Sequence, residues 1–333
     1  MKKVALLLAL TLCLLSFGGC SKDQPRSVSF FVMDTVITVT LYGTDEQTSQ
    51  EIFSHCNAML TELESLWSRQ KTESDVSRLN AAASGEVALD ARTASVLRLA
   101  REVEGATDGA FDVTLAPLCD LWDRCGEENR MPAEEELRSL LAHTGADTWS
   151  LSGDGTVYKN DAMTAFNLGG IGKGAAADAL MEYLRTTDVS GGMVTFGSNV
   201  AVLGSKPNGK DFRIAVRDPK DADGYVGALT LKDGDALSVS GDYERFVTIG
   251  GERYHHVLDP QTGYPSSSGL SSVAIVCKSG ALADALSTAC LVMGYDRAME
   301  LYASGAYDFE AVFVFSDGTV RLSDGLLPQW QSA

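Results

Sequence analysis

Apolar and polar residues alternate along the chain with two different periods, and these periods divide it into elements. The stretch from Val4 to Phe17 is almost wholly apolar, follows Met1-Lys2-Lys3 and closes on Gly18-Gly19-Cys20. A positive start, a short apolar run and a small-residue end read as an export signal, too short to be a spanning helix with stop-transfer flanks. Residues 28–42 are rich in Phe, Val, Ile and Thr and end at Gly43-Thr44-Asp45, which predicts a strand. From 46 to 67 the apolar residues Ile52, Cys56, Met59, Leu60, Leu63, Leu66 and Trp67 recur at helical spacing. The same reasoning predicts helices over 90–104, 134–142, 173–184 and 282–293. It predicts several strands between 193 and 249, another at 273–277, and a closing hairpin over 310–322 that turns at Asp317-Gly318. Helices and strands are interspersed without a regular βαβ period, and no repeat or internal linker interrupts them. The pattern therefore predicts one large α+β domain, with mixed or antiparallel sheets flanked by helices.

Composition narrows the possibilities. The formal net charge is −18, so a nucleic-acid partner, which needs a basic face, is not expected. Five cysteines follow Cys20, at positions 56, 119, 125, 277 and 290. An odd number at irregular spacing, without a CxxC pair, is neither a disulfide framework nor a thiolate zinc site. They read as small buried apolar residues, with Cys119 and Cys125 the nearest pair were a bridge to form. The small-residue pair before Cys20 suggests a lipoprotein site, in which residues 1–19 are removed, Cys20 carries the acyl chains (palmitate among them) and 20–27 form a polar tether to a domain over 28–333. An ordinary cleaved signal with a chance cysteine is the alternative.

Four stretches carry residue types suited to chemistry. In Asn167-Leu168-Gly169-Gly170-Ile171-Gly172-Lys173-Gly174-Ala175, glycines precede a helix, where backbone N–H groups and a lysine can approach a phosphate. No Ser or Thr follows Lys-Gly, so this is not a P-loop, and a plain strand-to-helix turn accounts for it equally well. Ser238 to Phe246 reads as a tight bend offering hydroxyls, with Arg245 available to a phosphate or a carboxylate. His255-His256-Val257-Leu258-Asp259-Pro260-Gln261-Thr262-Gly263-Tyr264-Pro265 holds two of the four histidines on a rigid loop, a placement suited to proton transfer. Asp284 and Thr288, four apart, share a helix face and supply hard oxygen ligands.

Together with Met33-Asp34-Thr35 and Gly109-Ala110-Phe111-Asp112-Val113-Thr114, these stretches, in this order, resemble the ApbE family of FAD:protein FMN transferases over nearly the whole mature chain. The resemblance implies an ApbE-like domain that cleaves FAD, attaches FMN through a phosphoester to a Thr or Ser of an acceptor protein and releases AMP. Met33, Gln70, Ala110, Phe111, Asp112, Asn167, Lys173 and Leu258 fall where the family contacts FAD. Asp284, Thr288 and Gly170, the last through its carbonyl, fall where it holds one or two Mg²⁺ ions. His256 falls where a catalytic histidine activates the acceptor hydroxyl. Gln70 stands where the family often has Tyr, Asn167 where many members have Asp, Ser287 where some have an acidic ligand, and Phe196-Gly197-Ser198-Asn199 replaces a more usual Gly-Gly-Asn. The implied acceptors are subunits of Rnf- or Nqr-type membrane redox complexes, and the implied location is the outer face of the cytoplasmic membrane or the periplasmic side. Three rivals stand beside this reading: a flavin carrier without chemistry, an FAD pyrophosphatase using water, and a dinucleotide dehydrogenase, the last disfavoured by the missing βαβ period.

Overall fold

The computed structural model describes residues 24–333; the expected signal at 1–19, Cys20 and the first tether residues lie outside the described residues. The folded body begins at Arg26, two residues before the expected start. β1 (Arg26–Val32) and β2 (Thr35–Tyr42) form an antiparallel hairpin where one strand was expected. Its two-residue turn is Met33-Asp34, both with φ of 55°. Two positive φ values match the right-handed twist of a hairpin but usually select Asn-Gly, so nothing in Met-Asp announced the turn.

Next come α1 (Glu46–Trp67), α2 (Asp75–Ala81), β3 (Gly85–Ala88), α3 (Ala91–Ala106), α4 (Ala116–Glu127), α5 (Glu134–Leu141), β4 (Trp149–Leu151) and β5 (Thr156–Lys159). Asp45 caps α1 by accepting from Thr48 N at 2.9 Å, and Asp90 caps α3 in the same way through Arg92 N. The chain continues through α6 (Gly172–Arg185), β6 (Gly191–Phe196), β7 (Asn199–Gly204), β8 (Phe212–Asp218), β9 (Asp221–Leu231), β10 (Ala236–Gly241), β11 (Phe246–Ile249) and β12 (Glu252–His255). It closes with β13 (Leu270–Cys277), α7 (Gly280–Met293), α8 (Tyr295–Ser304), β14 (Glu310–Phe315), β15 (Val320–Leu322) and β16 (Trp330–Ser332). The expected closing hairpin is β14–β15, with Gly318 at φ 97° in its turn.

An eight-stranded antiparallel sheet, ordered β1-β2-β6-β7-β10-β13-β14-β15, forms the centre. Alternate residues of its strands face opposite ways. Ala201, Val273, Ile275, Ala311 and Phe313 pack with Leu180, Leu184 and Leu286 of the helical layer. Val200, Val202, Val276, Val312 and Val314 pack instead against Phe212, Val216, Leu229 and Leu231 of a three-stranded sheet, β16-β9-β8. Because both faces are covered, β13 is buried throughout and reads as a near-continuous apolar run rather than an alternating one. All five cysteines after Cys20 are free, four of them buried, so the Cys119–Cys125 bridge does not form.

Two glycines set the distance between α6 and α7. A Cβ on Gly174 would lie 2.0 Å from the Gly280 carbonyl oxygen, so only glycine permits this crossing. The crossing brings the first turn of α6 against α7, beside the central sheet, and this junction forms the floor of the cavity described next.

Candidate active site

A cavity of about 770 Å³ opens between the β1–β2 turn, the segment after α1, the 110–112 segment, the glycine turn before α6 and the 254–258 loop. Its size suits a cofactor-sized ligand. All twelve residues singled out from the sequence body line it: Met33, Gln70, Ala110, Phe111, Asp112, Asn167, Gly170, Lys173, His256, Leu258, Asp284 and Thr288. They are scattered over 255 positions of sequence and drawn from six segments.

The floor is built on the helix crossing. Gly174 N, one of the first-turn donors of α6 that have no partner within the helix, reaches Asp284 Oδ2 at 3.0 Å. Asp284 is 3% exposed; its other oxygen lies 3.1 Å from Ser238 Oγ and 3.8 Å from Lys173 Nζ. Thr288, one turn on, lies 3.2 Å from Ser240 Oγ. Gly170 faces Thr288: a Cβ there would sit 3.4 Å from Thr288 Oγ1 and 3.2 Å from Phe111 Cε2. The glycine turn differs from the expected phosphate cradle, because much of its backbone is already committed. Gly169 N donates to Asn167 Oδ1, Ile171 and Gly172 N donate to the Leu168 carbonyl, and Gly174 N serves Asp284. The cationic handle of this segment is Lys173, whose ammonium also donates to the Gly169 carbonyl at 3.0 Å.

The opposite wall carries His256. Its backbone N and its ring Nδ1 both lie 3.1 Å from the Arg245 carbonyl oxygen. A carbonyl only accepts, so Nδ1 holds the proton and Nε2 is the basic nitrogen. The ring is open to the cavity, yet desolvation by the surrounding wall, with the charges of Arg245 and Lys173, holds its pKa down at about 4. It is therefore neutral at physiological pH. The loop behind it is rigid: Leu258 bridges Pro265, Gly263 N donates to the Asp259 carbonyl, and Trp122 Nε1 of α4 donates to the Gly263 carbonyl at 2.8 Å. His255, next in sequence, faces its own loop, with Nε2 2.9 Å from the Ser266 carbonyl.

At the rim, Met33 N donates to Glu64 of α1 at 2.7 Å, which fixes the hairpin tip over the cavity. Gln70 is exposed and takes a bond from Ser68 Oγ at 2.9 Å. Asp112 accepts from Thr114 N and Oγ1, while burial raises its pKa.

Four residues near the floor went unread or misread in the sequence. Glu244 lines the wall and has a pKa raised by desolvation, with Lys173 opposing the shift. Asn199 is buried at the start of β7. Ser238 and Ser240 were expected in a bend, but they are strand residues of β10, two apart and therefore on one face, towards α7. No spacing rule links Asn199 to Asp284; only the folded sheet does. Arg245 contributes its carbonyl to His256 in addition to lining the cavity.

Among the described residues no cluster of three or more His, Cys, Asp or Glu could hold a metal ion. The floor nonetheless fits Mg²⁺, which takes hard oxygen ligands, often one or two carboxylates, and completes its shell with water and substrate phosphate. Asp284 offers a buried carboxylate, Thr288 a hydroxyl on the same helix face, and Gly170 adjoining backbone.

Residues 33–313 match the model of the ApbE family. The chain is 33% identical to the FAD:protein FMN transferase of Vibrio cholerae over 293 residues, 86% of this chain and 87% of that one. It is 30% identical to the enzyme of the same name from Treponema pallidum over 332 residues, 94% and 90% of the two chains. The crystal structure of the ApbE protein of Thermotoga maritima superposes with a TM-score of 0.83 at 31% identity, covering 91% of this chain and 98% of that one. The flavin transferase ApbE of Vibrio cholerae superposes with a TM-score of 0.81 at 28% identity, covering 92% and 99%.

Proposed function

The chain belongs to the ApbE family, and on that premise we propose that it is an FAD:protein FMN transferase that joins FMN to a Thr or Ser hydroxyl of an acceptor protein. The observation that carries this reading is the cavity floor: a buried carboxylate, a hydroxyl and a lysine at one end, faced by a neutral histidine whose basic nitrogen is unprotonated.

In the proposed reaction the acceptor oxygen attacks the flavin-side phosphorus of FAD. The new O–P bond forms as the bond from that phosphorus to the bridging oxygen breaks, and AMP leaves with the bridging oxygen. His256 Nε2 takes the proton of the attacking hydroxyl, a role that contributes roughly 10²–10⁴-fold. The Arg245 carbonyl holds the imidazole in the tautomer this needs. Lys173 would offset the charge of the pyrophosphate, and Met33, Phe111 and Leu258, which line the cavity, would contact the FAD. When bound by Asp284, Thr288 and Gly170, Mg²⁺ would neutralise charge developing on the phosphoryl oxygens.

Cys20, outside the described residues, is proposed as a lipid anchor that keeps the enzyme on the outer face of the membrane or the periplasmic side. Acceptor subunits of Rnf- or Nqr-type complexes would meet it there. The test is AMP release from FAD and Mg²⁺ with and without an acceptor domain bearing the target hydroxyl. AMP that appears in step with acceptor supports transfer. AMP and free FMN formed equally well without acceptor would mean that water is the nucleophile.

A further inference from the structure

Beneath and beside the floor lies a connected set of hydroxyls, of which those of Ser240 and Thr288 also line the cavity. Ser238 Oγ lies 2.9 Å from Asn199 Oδ1 and 3.1 Å from Asp284 Oδ1. One hydroxyl proton cannot serve two acceptors. At the same time Asn199 Nδ2 is buried and has no partner. Exchanging the oxygen and nitrogen of that amide, which have nearly the same shape, removes the first defect and replaces the second by a milder one. The amide nitrogen then donates to Ser238, and the Ser238 proton is free for Asp284. The oxygen moves to the site without a donor, and an unpaired carbonyl oxygen is tolerated better than an unpaired N–H. A second line of hydroxyls runs beside the first. Ser287 Oγ donates to the Asp284 carbonyl at 2.9 Å, Ser240 Oγ lies 2.8 Å from Ser287, and Thr288 Oγ1 lies 3.2 Å from Ser240. With the Ser287 proton committed to a carbonyl, Ser240 donates to Ser287, and the Thr288 proton goes to Ser240 or, at 3.4 Å, to the Asp284 carbonyl, in both cases away from the cavity.

Building on the metal reading above, we infer that Asn199, Ser238, Ser240 and Ser287 are positioning residues that hold Asp284 from beneath and take up the Thr288 proton, so that both donors keep lone pairs on the cavity side for a divalent cation. One arm runs from Asn199 through Ser238 to Asp284, whose second oxygen is held by Gly174 N. The other runs from Thr288 through Ser240 and Ser287 to the Asp284 carbonyl. The network spans β7, β10 and α7, so the sheet itself fixes how the two donors are turned. The hydroxyl at position 287, where some members have an acidic ligand, supplies the proton that the Asp284 carbonyl accepts in this chain.

The test is Mn²⁺ binding to the full chain without FAD, followed by the electron paramagnetic resonance signal of free Mn²⁺. Ser238→Ala, Ser240→Ala and Asn199→Ala are compared with wild type, with thermal melting as the check on folding. Loss of an outer partner of a metal ligand typically costs 10–100-fold in affinity, and that is the expected weakening. Ser238→Thr, which keeps the hydroxyl, should recover most of it. Folded alanine variants that bind Mn²⁺ within twofold of wild type would overturn the network while leaving the metal site standing. A wild-type chain that binds no Mn²⁺ would overturn the metal reading, and the network with it.

Discussion

Replacing Gly174 by Ala isolates the contact on which the site floor depends. Gly174 lies inside α6, where helix propensity alone favours Ala by about 1 kcal/mol. The structure reverses that sign. The added Cβ would lie 2.0 Å from the Gly280 oxygen, 2.4 Å from its carbon and 2.8 Å from Ala281 N, all of them backbone atoms. Carbon and carbonyl oxygen approach to about 3.3 Å, so the two helices must part by roughly 1.3 Å. Overpacking of this kind costs about 1–3 kcal/mol. The same movement stretches the bond from Gly174 N to the buried Asp284 carboxylate, and a hydrogen bond to a charged group contributes about 1.5–3 kcal/mol. The net loss is roughly 2–5 kcal/mol, or a fall in melting midpoint of roughly 3–8 °C for a domain of this size. Gly105, in α3, has no atom within 4 Å of its would-be Cβ, so Gly105→Ala should raise the midpoint by a few degrees at most. Differential scanning fluorimetry of both variants reads the contrast. A Gly174→Ala protein that melts within about a degree of wild type would refute the close-crossing argument.

Other predictions rest on single groups. His256→Ala should bind FAD as wild type does but transfer FMN roughly 10²–10⁴-fold more slowly; stopped-flow transfer beside flavin-fluorescence binding separates the two. Because the His256 pKa is held down at about 4, its basic form persists through the whole neutral range. The acid limb of kcat/KM should therefore fall near pH 4 and not near the ordinary histidine value, and an inflection at 6–7 that vanishes in His256→Ala would contradict this. Burial, with Asp112 nearby, raises the Glu104 pKa to about 7, and the Arg101 contact opposes the shift only in part. The folded state thus keeps a proton that the unfolded state releases above about pH 4.5. Stability should fall as pH rises from there to about 7, by at most roughly 3 kcal/mol, and this slope should be missing from melting curves of Glu104→Gln. Lys159 is buried, with its ammonium donating to the carbonyls of Leu79 at 3.0 Å and Ala82 at 2.6 Å. Lys159→Met leaves those helix-end carbonyls unpaired and should cost about 1–3 kcal/mol in chemical denaturation.

How far the sequence could be read depended on whether a signal was local. The helix over 46–67 was legible because its apolar spacing and its Asp45 cap agree. β13 was legible as a compact apolar run between turn residues. The site residues were legible because they lie in short, unusual stretches, and the fold then draws those stretches into one cavity. The hairpin turn at Met33-Asp34 was hidden because its residues are not those a double-positive-φ turn usually selects. α4 was obscured by Pro117 in its first turn, a position that tolerates proline. The roles of Asn199 and Glu244 and the facing of Ser238 and Ser240 were invisible for a different reason: each matters through a neighbour 39 to 71 positions away. The glycine turn was legible as a tight turn but misleading in its chemistry, since Asn167, Leu168 and Asp284 use donors that a phosphate would otherwise claim.

The central claim is that the FMN half of FAD ends on a protein hydroxyl. The most direct measurement is the intact mass of an acceptor domain after incubation with the full chain, FAD and Mg²⁺, beside the same domain with its target Thr or Ser changed to Ala. The account predicts a gain of one FMN on the first, none on the second, and one AMP released for each FMN gained. FAD consumed to free FMN and AMP while the acceptor mass stays unchanged, or FAD bound and recovered whole, would contradict it.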